Sequence, residues 1–336
     1  MTRRTIVLAA CLAFGASAPL DAAPAKSKPA PALDQAILHV QVILDRLGFS
    51  PGVLDGRPGM SLTAALKGFQ QSRGLSPSGT LDKPTQAALQ QYANTSGTQS
   101  ITLTREILAG PFTNPLPKRP PDQAKLPELG YRNAMEKMGE MFHTTPAVLV
   151  ALNSGDTRLA PGVKITVPAV VAADRNYDAK LPEKWRQTLS TLNVDAQQPQ
   201  GAKVVVDKSD SVLRVYDAGG KLIAQFQATM GSKHDPLPIG TWKILGPAYN
   251  PPFHYNPKLF WDAKKGEKKA TLPPGPNGPV GVVWLDLSKE HYGIHGTPEP
   301  TTIGRAESHG CIRLANWNVA RLAMMVKPGT PAIFQE

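Results

Sequence analysis

The sequence predicts a multidomain protein with a small helical domain, a small α/β module and a mainly β domain that ends in a short helix. Three observations support this prediction. Apolar residues recur at helical spacing from Leu33 to Tyr92, a helix–break–helix pattern precedes a short strand-like run, and alternating β-branched residues begin at Ala202. A chain of 336 residues is long enough for two or three domains, each with its own core.

The first 23 residues have the pattern of a secretory signal peptide, with Arg3 and Arg4 before a short apolar run and small residues up to Ala23. This run is too short for a permanent membrane span, and no later segment has about 18 consecutive apolar residues. We therefore expect an exported protein of the periplasm or cell wall, without a membrane span. A lipoprotein leader that ends before Cys11, which would tether the protein to a membrane through a lipid, is the alternative.

The net charge of +11 and the pI near 9.6 favour an anionic partner or reflect only a cationic surface. Export argues against nucleic acid, whereas a bacterial cell wall is anionic and lies outside the cytoplasm. The basic residues are scattered except for one cluster within a Pro- and Gly-rich stretch, Lys264, Lys265, Lys268 and Lys269. This stretch is either a solvated loop or a lid that guides an anionic glycan.

Residues 24–32 contain mainly Ala, Pro and Lys and are predicted to form a tether. Residues 33–93 are predicted to form three helices, and two turns repeat the pattern G-x-L-D at Gly52–Asp55 and Gly79–Asp82. With "GFSPGVLDG", "LKGFQQSRGL" and "GTLDKPTQAAL", this segment resembles the peptidoglycan-binding domain. The alternative is a generic helical bundle.

Residues 100–170 begin with a Pro-rich stretch and continue with two short helices that meet at His143–Pro146. The order helix, break, helix, "LN" and "PGVKITVP" resembles a degenerate LysM carbohydrate-binding module, whose first strand would come from residues 101–108. His143 is interpreted as a structural histidine. Residues 171–200 are predicted to be a linker with one helix around Trp185–Leu192.

Residues 201–336 are predicted to form the mainly β domain, with a final helix capped by Asn316. This domain contains Cys311, which has no partner for a disulfide if the leader is removed beyond Cys11. Exported compartments oxidise thiols, so an unpaired cysteine there is either buried and inert or retained for its reactivity.

A reactive thiol needs a base, and two histidines are candidates. His295 on a neighbouring strand can share a proton with Cys311 in good geometry, whereas His309 is too close in sequence and is expected to pack and orient. Gly310 allows close approach of a backbone or substrate, and backbone amides at Gly310 and Cys311 could stabilise an oxyanion. Arg313 is suited to binding a carboxylate.

The segment "HGTPEPTTIGRAESHGCIRL" resembles the signature of the L,D-transpeptidases with a YkuD-type catalytic domain, and "DPLPIGTWKI" is similar to that family's turn and strand. The resemblance spans residues 201–336 and implies a YkuD-like β-sandwich with a short C-terminal helix. It also implies a site made from the residues of the signature and two residues of the cleft, namely Cys311, His295, His309, Ser308, Gly310, Arg313, Gly296, Thr297, His254 and Tyr255.

By this resemblance Cys311 is the nucleophile and His295 the general base, while Ser308, His309 and Gly310 line the site. Arg313 orients the loop or binds a carboxylate of the stem peptide. Gly296, Thr297, His254 and Tyr255 are expected to contact substrate. No cofactor and no metal are expected.

Family members cleave a tetrapeptide stem of peptidoglycan between the L-centre of diaminopimelate and the terminal D-alanine, form a thioester and pass the acyl group to an amine. A stem amine as acceptor gives a 3→3 crosslink and a role in peptidoglycan biosynthesis, cell wall organisation and cell shape. Water or a lysine of an outer-membrane lipoprotein are alternative acceptors. Two other hypotheses are a non-catalytic wall-binding protein and a zinc site built from His291, His295, His309 and Cys311.

Overall fold

The N-terminal part of the fold is a three-helix domain, as the sequence predicts. The computed structural model describes residues 33–261 and 263–336, so the predicted leader, Cys11 and the tether lie outside the described residues. The helices are α1 (Gln35–Arg46), α2 (Met60–Ser72) and α3 (Lys83–Leu89), followed by a 3₁₀ turn at Gln90–Tyr92.

Side-chain caps and turning glycines define the ends of these helices. The Asp34 carboxylate accepts hydrogen bonds from the amides of Ala36 and Ile37 at the start of α1, and Asp82 caps α3 in the same way. Gly52 and Gly79, which open the two repeated turns, have φ of +75° and +71°, a region in which a Cβ is unfavourable.

The middle module consists of two antiparallel strands with helices between them. Its elements in chain order are β1 (Thr98–Thr102), α4 (Arg105–Leu108), α5 (Pro120–Gln123), α6 (Ala134–Met141), α7 (Pro146–Leu152) and β2 (Lys164–Pro168). Strand β1 pairs with β2 from Thr98↔Pro168 to Thr102↔Lys164. The first strand therefore begins three residues before the predicted stretch, and the two predicted helices are α6 and α7.

The segment 171–200 packs as part of the C-terminal domain. Its helix, α8 (Glu183–Thr191), buries Trp185 and Leu189 completely in the core of the β domain, and Leu192 follows them. This segment thus contributes to a hydrophobic core in addition to connecting two domains.

The C-terminal domain is mainly β, as predicted. Its strands are β3 (Lys203–Asp207), β4 (Val212–Tyr216), β5 (Leu222–Gln227), β6 (Thr229–Met230), β7 (Gly240–Tyr249), β8 (Phe253–Tyr255), β9 (Ala270–Leu272), β10 (Val283–Leu287), β11 (Gly293–His295), β12 (Ile312–Arg313) and β13 (Pro331–Gln335). Two 3₁₀ turns lie at Pro257–Leu259 and Pro300–Thr302, and helix α9 spans Asn316–Met325.

Nine of these strands hydrogen-bond in the order β5-β4-β3-β13-β7-β10-β11-β12-β6, while β8 and β9 form a separate hairpin. The long strand β7 pairs with β13 through residues 240–243 and with β10 through residues 244–249. The parallel pairs are β3 with β13 and β11 with β12. One core cluster contains residues from both halves of this sheet, from α8 and from α9.

Helix α9 is buried over nearly its whole length, which its sequence NWNVARLAMM allows because few positions are charged. Its predicted cap, Asn316, is instead the first residue of the helix and is fully buried. The Asn316 side chain contacts other parts of the chain, so it does not serve as an N-cap.

The three-helix domain covers one edge of the nine-stranded sheet. The Ser50 amide donates to the Gln225 carbonyl and the Gln225 amide donates to the Gly48 carbonyl, both at 2.9 Å, so residues 48–50 extend the sheet beyond β5. The Gln225 side chain also donates to the Ala64 carbonyl at 2.7 Å. An edge strand that would otherwise expose its hydrogen-bonding groups is therefore paired.

His143 connects three parts of the chain. Its Nδ1 lies 2.8 Å from an Asp45 carboxylate oxygen of α1, its Nε2 lies 2.8 Å from the Leu192 carbonyl, and its ring stacks on Trp317 of α9. The histidine is 2% exposed. These contacts support its interpretation as a structural histidine.

A second buried junction joins the middle module to the C-terminal domain. Glu140 of α6 accepts a hydrogen bond from the Tyr131 hydroxyl at 3.0 Å and from Nδ2 of Asn316 at 2.8 and 3.1 Å. Burial raises the pKa of the Glu140 carboxyl from 4.5 to about 8, although the hydrogen bonds from Asn316 and Tyr131 oppose this shift.

We predict that Glu140→Gln makes stability less dependent on pH between about 5 and 8. In this range the folded parent keeps the Glu140 proton while the unfolded chain releases it, so rising pH favours unfolding by up to about 1.4 kcal/mol per pH unit. The glutamine has no proton to lose. Urea unfolding of both proteins at pH 5, 6.5 and 8 measures this difference, and parallel pH dependences would contradict the prediction.

Candidate active site

Adjacent parallel strands bring His295 and Cys311 to the same face of the sheet. Strand β11 ends at His295, β12 follows Cys311 directly, and the register pairs Ile294 with Ile312 and His295 with Arg313. Because side chains alternate along a strand, His295 and Arg313 share the face opposite the buried Ile312, and Cys311, two residues before Arg313, lies on that same face. The predicted nucleophile and base are therefore diagonal neighbours.

The His295 imidazole is held in one tautomer by its own backbone. Its Nδ1 lies 2.7 Å from the Gly296 carbonyl, and since a carbonyl only accepts, Nδ1 carries the proton and Nε2 keeps the lone pair. Trp284, directly opposite on β10, stacks on the imidazole with the ring centroids 5.4 Å apart. Burial and the positive charge of Arg313 lower the pKa of His295 to about 3.

The Cys311 thiol is half-buried and neutral at rest. Burial raises its pKa above the ordinary 9.0, and the carboxylate of Asp235 adds to this effect. A backbone hydrogen bond from Gly293 and the charge of Arg313 act in the opposite direction but are weaker. The sulfur also lies 3.8 Å from the His291 carbonyl. Thiol and imidazole are thus both uncharged before a substrate arrives.

Ser308 holds the loop before β12 in place and is itself buried. Its hydroxyl donates to the Cys311 carbonyl at 2.7 Å and accepts from the Gly231 amide at 2.6 Å, while its own amide donates to the Gly231 carbonyl. The structure thus gives Ser308 a positioning contact on the loop, whereas the sequence suggested a residue that lines the site.

Gly310 has φ of +90°, and a Cβ at this position would lie 2.6 Å from the Tyr292 ring. Both the backbone conformation and the packing therefore require glycine here. The residue immediately before Cys311 is thus held against Tyr292 of the neighbouring segment.

His309 packs against the loop that connects β8 with β9. Its ring contacts Phe260 at 4.9 Å in an edge-on arrangement and Trp261 at 5.8 Å. Tyr255 reaches the same cluster through Phe260, 5.4 Å between ring centroids. His254 is exposed on the hairpin, where its Nδ1 lies 3.2 Å from the Thr271 hydroxyl. The lysine cluster 264–269 lies between the two strands of this hairpin.

Gly296 and Thr297 make hydrogen bonds that stabilise the chain directly after His295. The Gly296 carbonyl accepts from His295, and its amide donates to the carbonyls of Val280 and Val283. The buried Thr297 hydroxyl accepts from the Glu299 amide at 3.3 Å. Both of these observed roles are internal to the fold.

Three residues near the site were not singled out from the sequence. They are Trp284, Tyr292 and Asp235. Trp284 and Tyr292 come from segments whose pattern predicts only strands, so nothing in that pattern indicated a position beside His295 or Gly310. Asp235 follows the turn after β6, and the pairing of β6 with β12 brings it near Cys311.

No group of three or more His, Cys, Asp or Glu side chains is arranged to hold a metal ion among residues 33–261 and 263–336. In the same part of the chain, every helix is too short or too polar to cross a lipid bilayer.

We predict that folding shifts the alkylation of Cys311 to higher pH. A raised pKa means less thiolate at any given pH, so iodoacetamide should react with the folded protein at a higher midpoint pH than with the same protein in urea. Cys11→Ser leaves Cys311 as the single thiol of the chain. A midpoint equal to or below that of the unfolded protein would disprove the neutral resting thiol.

We also predict that Gly310→Ala destabilises the protein more than Gly329→Ala. The two glycines have φ of +90° and +93°, and a Cβ meets no atom within 4 Å at Gly329 but the Tyr292 ring at Gly310. Backbone strain alone should cost about 1–2 kcal/mol in each variant, and the clash adds to it only at Gly310. Urea unfolding measures both values, and equal losses would contradict the predicted clash.

Comparison with known protein families supports two of the domains predicted from the sequence. Residues 201–334 match the YkuD family, described as "L,D-transpeptidase catalytic domain", and residues 34–89 match a family described as "Putative peptidoglycan binding domain".

Similar proteins carry related names. The chain is 58% identical over 57 residues to "Putative L,D-transpeptidase YkuD" of Bacillus licheniformis, which covers 17% of this chain and 34% of the relative. It is 26% identical over 143 residues to "Putative L,D-transpeptidase YqjB" of Bacillus subtilis, and this match covers 41% of this chain and 73% of the relative. The chain thus spans about a third of the length of the first of these relatives.

A solved L,D-transpeptidase from Mycobacterium smegmatis is 26% identical with a TM-score of 0.32, over 40% of this chain and 58% of that one. On the family matches, the chain carries a YkuD-type L,D-transpeptidase catalytic domain at residues 201–334, preceded by a peptidoglycan-binding domain at residues 34–89.

Proposed function

We propose that this protein is a cysteine-dependent L,D-transpeptidase that acts on the tetrapeptide stem of peptidoglycan and forms 3→3 crosslinks. The observation that carries the proposal is the placement of His295 and Cys311 as diagonal neighbours on parallel strands, with Nδ1 of His295 bound to the Gly296 carbonyl. The Gly296 contact leaves the lone pair on Nε2, which is the form of the imidazole that general-base activation of a thiol requires.

In the first half-reaction, Cys311 transfers its proton to Nε2 of His295 while the sulfur attacks the carbonyl carbon at the L-centre of diaminopimelate. The tetrahedral intermediate collapses, and the leaving D-alanine amine takes the proton from the imidazolium. A thioester remains on Cys311. In the second half-reaction, an amine of another stem attacks the thioester, loses a proton through His295 to the sulfur, and forms the new amide.

The neutral resting pair suits this order of events. Because burial keeps Cys311 protonated and His295 uncharged, proton transfer is coupled to attack and no thiolate is exposed to oxidants beforehand. The amides of Gly310 and Cys311 are the proposed oxyanion donors, and Ser308 keeps their loop against Gly231. Arg313, which neighbours His295 in register, is the proposed site for a carboxylate of the stem.

The N-terminal parts are proposed to hold the enzyme on its polymer. Residues 34–89 match a peptidoglycan-binding family, and the middle module places α6 and α7 between two antiparallel strands, an order that supports the proposed LysM-like module. Two modules that bind one polymer raise the local substrate concentration. They favour crosslinking over release of a soluble product, with the protein exported to the periplasm or cell wall.

Two other acceptors use the same acyl-enzyme. Water would make the protein an L,D-carboxypeptidase, and a lysine of an outer-membrane lipoprotein would make it an anchoring enzyme. A non-catalytic wall-binding protein is the alternative of another class, and the conjunction of His295, Gly310 and Cys311 argues against it.

We predict that the purified protein converts a disaccharide tetrapeptide that contains diaminopimelate into a crosslinked dimer with release of D-alanine. Mass spectrometry follows the products, with Cys311→Ala as the control that should reduce turnover by about 10⁶-fold, the size of effect seen when a nucleophile is removed. A tripeptide product would assign hydrolysis. Equal turnover by Cys311→Ala would overturn the proposed nucleophile, and an inactive parent would favour the wall-binding alternative.

A further inference from the structure

A carboxyl group from outside the catalytic domain binds Asn316, whose side chain packs against the backbone next to His295. Glu140 of the middle module is 6% exposed, and Asn316 of α9, to which it hydrogen-bonds, is completely buried. The family match for the catalytic domain begins at residue 201, so Glu140 lies outside that domain. Burial of a carboxyl group costs solvation free energy, and its hydrogen bonds with Asn316 and Tyr131 must offset this cost.

The Asn316 side chain is wedged between two glycines. A Cβ at Gly281 would lie 2.0 Å from Oδ1 of Asn316, and a Cβ at Gly296 would lie 2.2 Å from the same atom. The amide oxygen also accepts from the Val282 amide at 3.2 Å. The position of this side chain therefore determines how closely the two glycine segments approach each other.

An asparagine amide has one accepting end and one donating end, and its surroundings decide which way it faces. At this site Oδ1 faces Val282 while Nδ2 donates to both oxygens of Glu140 and to the Pro276 carbonyl. Glu140 supplies the two shorter of the three bonds on the donating end. Without them the amide would lose the main partners that keep its oxygen towards the glycines.

The contact between Asn316 and Gly296 connects Glu140 to His295. The residue pressed against Asn316, Gly296, is the one whose carbonyl accepts the Nδ1 proton of His295 at 2.7 Å. A shift of Gly296 would move that acceptor, and the tautomer and the direction of Nε2 depend on it.

We propose that Glu140 is a positioning residue for the catalytic imidazole, acting through Asn316 and Gly296, so that the middle module is a structural part of the active site as well as an expected wall-binding module. The inference rests on the proposed function for its kinetic consequence. Its structural consequence, the tautomer and environment of His295, can be measured without a substrate.

The protonated state of Glu140 makes glutamine the conservative replacement, because both side chains are uncharged. The titratable groups that face it are Tyr131 and Glu136, and burial keeps its carboxyl largely protonated at neutral pH. A glutamine retains an oxygen that accepts from Nδ2 of Asn316, and its NH₂ group can donate to the Tyr131 oxygen, as the O–H of the protonated carboxyl can. A leucine fills a similar volume but offers Asn316 no acceptor.

The test compares Glu140→Leu, Glu140→Gln and Asn318→Ala with the parent. Asn318 is a matched control because it lies on the same helix and also makes a buried hydrogen bond to another domain, in this case to the Ser50 hydroxyl of the three-helix domain at 2.9 Å. Only variants that unfold cooperatively, and are therefore folded, are compared. Two properties are measured at neutral pH. They are kcat and KM on the soluble disaccharide tetrapeptide, and the ¹⁵N NMR spectrum of protein with selectively labelled histidine.

We expect Glu140→Leu to lower kcat by roughly 10- to 100-fold with little change in KM, as a small displacement of a catalytic group does. The same variant should change the ¹⁵N signals that report the Nδ1-protonated form of His295. Glu140→Gln should recover parent values for both, and Asn318→Ala should resemble the parent even where it costs stability.

Parent-like kcat and His295 signals in Glu140→Leu would overturn the inference, as would equal changes in Asn318→Ala. If the parent itself releases no D-alanine, the proposed function fails, and the ¹⁵N spectra alone decide whether Glu140 positions the imidazole.

Discussion

The parallel pairing of β11 with β12 is the constraint on which the site depends. It places Ile294 beside Ile312 inside the core and thereby directs His295, Arg313 and the preceding Cys311 to the other face. A shift of one residue in this register would turn either the imidazole or the thiol into the core. The pair consists of only two residues on β12, so neighbouring contacts must maintain it: β6 flanks β12, and Ser308 ties the loop to Gly231.

The surrounding domains support these short strands. The three-helix domain completes the far edge of the sheet through Gln225, His143 joins α1 to α9, and Glu140 reaches Asn316 at the start of α9. Helix α9 follows β12 after two residues, so contacts that hold α9 also hold the strand that follows Cys311. Residues 33–336 accordingly cluster as one unit, and the peptidoglycan-binding domain has a direct structural relation to the catalytic domain.

The electrostatics of the site favour an uncharged resting state. Burial acts on Cys311 and His295 in opposite directions, raising the pKa of the thiol and lowering that of the imidazole, and both shifts disfavour charge. Arg313 lowers both values, which favours thiolate while opposing imidazolium. A thiolate–imidazolium pair is therefore disfavoured in the unliganded protein.

Local pattern alone determined much of this protein. The spacing of Ile37, Val40 and Leu44 predicted α1, the pattern around His143 predicted α6 and α7, and the signature around Cys311 indicated the L,D-transpeptidase catalytic domain that the family match supports, because helical periodicity and a chemical motif are both short-range properties. Only the tertiary structure decided the rest. Asn316 looked like a helix cap and proved to be a buried link to Glu140, 176 residues away in sequence. Trp284 stacks on His295 because antiparallel pairing of β10 with β11 places the two residues opposite each other, and the Ser308 hydroxyl donates to the Cys311 carbonyl within its own loop. Such contacts depend on strand register and on the meeting of distant segments, which no local pattern encodes.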